Sequence, residues 1–306
     1  PYQGKLSNEG EHLELRNHAG ALQDEVDYQV KFPWPLGSAG EGKSMSLINP
    51  SLDNDLGGSW RAADPTPGAN NANYSTLAPP AIRQVNHTPK QPGANEPIII
   101  TAKVTDPEGV QSVKVLYQIV SPGDFIPSEF PLTHNQLLAT PTLARTPNPA
   151  FTNTANWIQV TMADDGAGAD ALAGDGIFTG VIPGQTNRTL VRYRIVASDA
   201  ALPSSSAQVP YADDASLNFA CFVYDGVPPY VPTDRTVRPE GLGYVYSSAV
   251  LTSLPVYMVI ARAADITECI AYDSGLQIPK TSIAARDCYN WEGAFVYDGE
   301  VYDHIH

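Results

Sequence analysis

Four aspartates stand close together in the stretch MADDGAGADALAGDGIFTG, residues 162–180, among five glycines and five alanines. Calcium takes roughly six to eight oxygens from carboxylates, carbonyls and water. Asp164, Asp165, Asp170 and Asp175 could supply several of them, and Gly166, Gly168, Gly174 and Gly176 would let the backbone curl and offer carbonyls. The spacing departs from the D-x-[DN]-x-[DN]-G calcium loop, because the third position counted from Asp164 is Gly166. A plain glycine-rich turn accounts for the same residues, with the Asp side chains capping backbone N–H groups. A catalytic acid pair has less behind it, since no nucleophile stands nearby. Calcium here would be structural.

Other candidate groups are weaker. Asp53, Asn54 and Asp55 follow one another in SLDND, a triplet found in calcium loops and equally in turns. Asp213 and Asp214 form a shorter pair. The histidines are scattered at 12, 18, 87, 134, 304 and 306. His304 and His306 would share a face of a strand and could ligate a metal, with Asp303 pointing the other way. A solvated or packing role explains them as well. No G-x-S-x-G elbow is present, and GLGYVYSS (241–248) lacks the G-x-G-x-x-G of a phosphate loop. Asn73, Asn86 and Asn187 begin N-x-[ST] triplets, which matter only in a host that glycosylates Asn. Of the 15 tyrosines, several concentrate in CFVYDGVPPYV and GLGYVYSS near the second boundary, where they would bind a glycan or a partner, or pack a seam between domains. Cys269 and Cys288 would pair in an oxidising compartment or serve as small core residues; with Cys221 the count is odd and gives no disulfide framework.

Composition narrows the partners. Lys and Arg number 18 against 33 Asp and Glu, a net charge of −15, which excludes phosphate-reading chemistry and so a nucleic-acid partner. No apolar run reaches the ~18 residues a membrane helix needs. No signal peptide precedes PYQGKLSNEGEHLEL, and the chain reads as starting and stopping inside domains. Pro (27) and Gly (24) are abundant and charged residues scarce at 17%, a mix that suits turn-rich β architecture.

The elements needed to hold these residues read as strands. HLELRN and LQDEVDYQV alternate apolar and polar with period two, and KSMSLIN is a third short strand. IIITAKVTD and VQSVKVLYQIV are rich in β-branched residues, and WIQVTM, GIFTGVI, RTLVRYRIVASD and LNFACFVYDG follow, with turns between them. They predict a sandwich over 79–226, interrupted by a long insertion at 121–156 that is either functional or packed as its own element. A Pro-rich linker over 227–250 leads to a strand and helix from 251 and a strand texture at GAFVYDGEVYDHIH.

Three resemblances follow from these words. LSNEGEHLELRNHAG, VDYQVKFPWP, GEGKSMSLINPSLDND and SWRAADPTPGANN resemble, in order, the C-terminal two thirds of the bacterial lamin-tail domain, an immunoglobulin-like sandwich. That implies an N-terminally incomplete sandwich over 1–75. ITAKVTDPEGVQSV, MADDGAGADALAGDG and RTLVRYRIVASDA resemble the fibronectin-III-like modules that follow lamin-tail domains in large bacterial surface proteins. SLPVYMVIA and FVYDGEVYDHIH resemble the opening of the spore-coat protein H (CotH) kinase-like family. That implies an α/β kinase-like domain over 251–306, incomplete at its C-terminal end and without its catalytic residues, so none is carried over.

The expected fold is mainly β: tandem immunoglobulin-like sandwiches, then the start of an α/β kinase-like domain. The expected function is an extracellular structural, adhesion or spacer segment of a large bacterial surface or secreted protein, with other proteins or copies of itself as partners. One alternative is part of an atypical secreted kinase using ATP and Mg2+. Another is a subunit of an extracellular filament, sheath or surface layer.

Overall fold

The computed structural model describes residues 5–38, 40, 42–132, 136, 139–140, 142–212, 214, 216–231, 245–267 and 291–305. The chain is mainly β, with several antiparallel sheets arranged as a β-sandwich requires.

The sandwich is built from eight strands. One sheet joins β5 (Ala81–Thr88), β6 (Ile98–Thr105) and β9 (Ile177–Ile182). The other joins β7 (Val110–Val120), β8 (Ile158–Met162), β10 (Leu190–Asp199), β11 (Ser206–Val209) and β12 (Phe219–Phe222). β10 pairs with β7 along its whole length, while β12 and β11 share its far edge. β6 buries every second residue, as a strand with one face in a core must. Ile98, Ile100, Ala102 and Val104 from that strand meet Val113, Val115, Val191, Tyr193 and Ile195 from the opposite sheet in one apolar core.

β10 is different: its first six residues are all buried. Its inward set, Val191, Tyr193 and Ile195, faces the core. Its outward set, Leu190, Arg192 and Arg194, is covered by a third layer. Two parts make that layer. The insertion packs Phe125, Phe151 and Trp157 down on the sheet. Beside it lies a three-stranded sheet of β13 (Tyr257–Ile260), β14 (Gly293–Tyr297) and β15 (Glu300–Ile305), whose Ala294 and Val296 are fully buried against Val120, Leu190 and Phe222. Both ends of the insertion are therefore packed structure, at Phe125–Ile126 and at Phe151. Its Asn148 caps the turn Pro149–Thr152 that carries Phe151.

The N-terminal region holds two hairpin pairs, β1 (Glu11–Arg16) with β2 (Leu22–Tyr28) and β3 (Ser44–Leu47) with β4 (Trp60–Ala63). Two-stranded sheets are marginal alone and need a shared core. Here they enclose a cavity of about 340 Å³ lined by Leu13, Val26, Tyr28, Met45 and Trp60. Phe32 anchors this region on the sandwich, edge-on to Phe219 at 5.3 Å. The linker residues 232–244, His134, His306, Cys269 and Cys288 lie outside the described residues. Among the described residues no helix is long and apolar enough to cross a membrane.

Candidate functional site

A connected set of polar side chains lies beneath β15, where the third layer meets β10. Arg192 is fully buried and sits in the middle. Its Nε and Nη2 donate to the two oxygens of Asp303, at 2.6 and 3.0 Å. Its Nη1 donates to the carbonyl of Ile126, at 2.6 Å, and to Gln118 Oε1, at 3.3 Å. The guanidinium plane lies over the Phe125 ring at 4.7 Å. A planar fork is the geometry that meets a carboxylate at two points, which Lys could not do.

The network continues through Asn218, whose Nδ2 donates to Asp303 Oδ2 at 3.0 Å and whose Oδ1 lies 2.7 Å from His304 Nε2. Because Nδ2 must face the carboxylate, Oδ1 is the acceptor and His304 Nε2 the donor. His304 Nδ1 contacts Glu292, so both ring nitrogens have a partner. Glu292 in turn accepts from the backbone N–H and hydroxyl of Ser128, at 2.9 and 2.8 Å. The side chains of Arg192, Asp303, His304 and Glu292 are all under a tenth exposed. Arg192 and Asp303 pair as opposite charges, and each carboxylate has several hydrogen-bond partners, which is the condition for burying charge.

The carboxyl groups report this balance. Burial pushes both upward. For Glu292 the hydrogen bonds from His304 and Ser128 outweigh burial, and its pKa falls below the ordinary value. For Asp303 the charges of Arg192 and His304 do the same, aided by bonds from Arg192 and Asn218. Arg194, one step along β10, is lowered to about 10 by burial and by Arg192. It stacks on Trp157 at 4.1 Å.

This geometry corrects one expectation. Asp303 and His304 do not face opposite ways: both reach Asn218. The strand rule fails because His304 has φ +56° and the register shifts between Gly293 and Phe295, which breaks the alternation. His304 is also packed edge-on against Phe151 at 4.6 Å, so it is no solvated side chain.

The acidic loop lies elsewhere and does another job. It carries the chain from β8 in one sheet to β9 in the other, closed by a bridge between Ala163 and Thr179. Asp164 accepts from the N–H groups of Gly174, Asp175 and Gly176 at 2.6, 3.3 and 2.9 Å. Asp165 accepts from Ala167, Asp170 from Gly166 and Asp175 from Ile177. Asp170, at the burial limit, also accepts from the Thr179 hydroxyl. Every aspartate is thus bonded to backbone of the same loop. Gly166 has φ +68°, and a side chain there would meet the Ala173 backbone at 3.0 Å. The four carboxylates do not converge as a ligand group. Among the described residues, the converging set of three ligand side chains is His12, Glu14 and Glu25 on the exposed face of β1–β2. There Arg16 already binds both oxygens of Glu14, and Asp27 holds His12 Nδ1 at 2.7 Å. That hydrogen bond raises the His12 pKa.

Asp53, Asn54 and Asp55 are structural. Asp53 accepts from the N–H of Asp55, and Asn54 and Asp55 tie the turn to β2. Asp214 accepts from the N–H of Ser216. His87 bonds Tyr193 and the carbonyl of Lys90. Cys221 is a buried free thiol that burial pushes up to about 12, the state of an inert core cysteine.

Sequence reasoning overlooked Arg192, Asn218, Glu292 and Ser128. One signal was available: Arg192 and Arg194 interrupt the strongest strand of the chain, and a strand with charge on alternate residues needs a polar or covered second face. Compared with protein-family models and with curated proteins, the chain matches none.

Proposed function

We propose that this chain is an extracellular structural segment, a spacer and adhesion module of a large bacterial surface or secreted protein. Its units are read as immunoglobulin-like sandwiches. The observation that carries this reading is the buried Arg192–Asp303 pair with Asn218, His304 and Glu292. The network joins β15 to β10 across 111 residues of sequence and to the insertion at Ser128. A spacer that presents a following domain must hold its direction, and a desolvated two-point ion pair fixes orientation better than a flexible linker. Hydrogen exchange tests this. Amides of β13–β15 should exchange together with those of β10 in the unmodified chain, and separately in Asp303→Asn. Independent exchange in the unmodified chain would defeat the rigid-spacer reading.

A second reading is supported by the antiparallel β13–β14–β15 sheet, which fits the strand pair of a kinase-like N-terminal lobe. In it the parent is a CotH-like kinase using ATP and Mg2+, with its catalytic residues outside this chain. A phosphotransfer assay on the parent and on the chain separates the two readings. Activity in the chain alone would refute that placement.

A further inference from the structure

The β13–β15 sheet buries one face and leaves the other bare. Met258, Ile260 and Val296 pack inward, while Tyr257 and Val259 are 58% and 65% exposed. Tyr257 stacks on Tyr297 at 5.0 Å and on Phe295 at 5.6 Å, so the bare face is a row of aromatic rings standing side by side. β13 is also an edge: among the described residues it pairs with β14 alone.

The hairpin between β14 and β15 fixes which groups point off that edge. Its loop is the two residues Asp298 and Gly299, both with positive φ, and Tyr297 opposes Glu300. In a two-residue hairpin that closing pair exchanges both N–H···O=C bonds. The backbone of Tyr297 and Phe295 therefore faces β15, and that of Val296 and Ala294 faces β13. In the observed register Val296 meets Met258 and Ala294 meets Ile260. The N–H and C=O of Tyr257 and Val259 are left pointing outward, with no strand paired to them among the described residues. No charge, proline or bulge interrupts Tyr257–Ile260, so the usual guards of an edge strand are missing within it.

We propose that β13 is the pairing edge for a second copy of this chain, joined antiparallel about a two-fold axis at Met258. In that register Tyr257 opposes the partner's Val259 and Val259 opposes the partner's Tyr257. Both pairs use the outward groups, giving four backbone bonds, and both place an aromatic ring against a β-branched side chain on the bare face. The strand is its own complement, which favours a copy over a foreign strand. It is also uncharged in a chain of net charge −15, so like-charge repulsion is least here. Such an isologous contact closes at two copies and does not propagate into a filament. The pairing is independent of the spacer reading and needs only this edge.

Sedimentation equilibrium of the whole chain tests it. The chain should pass from monomer to dimer as concentration rises into the high micromolar range. Val259→Pro removes an outward N–H without touching the β14 bonds, and Tyr257→Lys places a charge in each pair. Each should weaken the dimer about tenfold or more, the scale of one to two lost interactions, with circular dichroism unchanged. Should either variant misfold, hydrogen exchange of the unmodified chain decides: the Tyr257 and Val259 amides must become protected as concentration rises. A strict monomer, a dimer indifferent to both variants, a dimer that responds only to Tyr257→Lys, or amides that stay unprotected would each overturn the pairing. Capture of a synthetic PVYMVIA strand by a chain that stays monomeric would also overturn it, in favour of a foreign strand.

Discussion

The acidic loop and the Arg192 cluster are both built around carboxylates, yet they solve opposite problems. In the loop, Asp164, Asp165, Asp170 and Asp175 accept from N–H groups at most 12 residues away. Backbone dipoles satisfy them and solvent reaches most of the loop. In the cluster, Asp303 is satisfied by Arg192 and Asn218, 111 and 85 residues distant, and Glu292 by Ser128, 164 residues distant, and by His304, 12 residues away, both carboxylates with little solvent exposure. A local arrangement needs only that the loop closes. A distant one needs three layers assembled before any bond forms. Removing one member should therefore be a local event in the first case and a loss of docking in the second.

The largest expected effect comes from Arg192→Met. It leaves Asp303 buried with only Asn218 and His304 near it. Breaking a buried pair from one side costs about 3–5 kcal/mol, and the loss should appear as early exchange of β13–β15 in hydrogen-exchange data. If Arg192→Met and Asp164→Ala destabilise equally and in the same segment, the contrast between the regions is wrong.

Acid gives the next effect. Both cluster carboxyls have folded pKa values below their unfolded ones, near 4. A depressed carboxyl contributes stability that is present above the unfolded value and disappears as pH falls through the folded one. Docking of β13–β15 should thus be lost below about pH 4, read as near-ultraviolet dichroism from the Phe and Tyr residues there. Persistence of that signal to the pH of global unfolding would show that the cluster does not control docking.

Asp164→Ala should cost less, about 1–2 kcal/mol, because three amide donors lose a partly exposed charged acceptor but regain water. The change should confine itself to exchange of the Gly174–Gly176 amides.

How much of this was legible follows the same division. β6, β7 and β10 stood out because β-branched residues repeat with the period of a strand, and period is local information. The capping role of Asp165 and Asp175 was readable too, since an Asx-turn reaches the backbone two residues on; the reach of Asp164 to Gly174–Gly176 was not. The four-residue strands β4 and β11 were too short to show a period. Arg192, Asn218, Glu292 and Ser128 were hidden because nothing in their neighbourhoods says which distant segment will cover β10. His304 was misjudged through its partner Asp303: a positive φ inside a strand is a tertiary outcome that alternation does not foresee.

Asp106 tests a case between the two regions. Its Oδ1 accepts from the N–H of Glu108, but its buried Oδ2 has no partner among the described residues. Burial, with the charges of Glu108 and Asp199, raises it to about 6. A raised carboxyl works against folding once it ionises, so stability falls as pH rises from about 4 to 6. Asp106→Asn should raise the melting temperature at pH 7 by a few degrees, roughly the effect of 0.5–1 kcal/mol, and change it little at pH 4.5. A loss at pH 7 would mean that Oδ2 has a partner in solution.

Calcium should produce the smallest effect and cuts most finely between the regions. An extracellular-type site with a dissociation constant near 1 mM would add about 1 kcal/mol of stability at 5 mM calcium. To form one, the loop must turn oxygens now held by Gly166, Gly174, Gly176 and Ile177 toward a common point. The bonds lost would be those that close the crossover between β8 and β9. We therefore expect no change in melting temperature on adding calcium, and the same absence of response in Asp170→Asn. A rise in the unmodified chain that Asp170→Asn abolishes would show that the carboxylates serve the ion before the backbone. The loop would then be satisfied from outside itself, as the Arg192 cluster is, and the two regions would differ only in what supplies the positive charge.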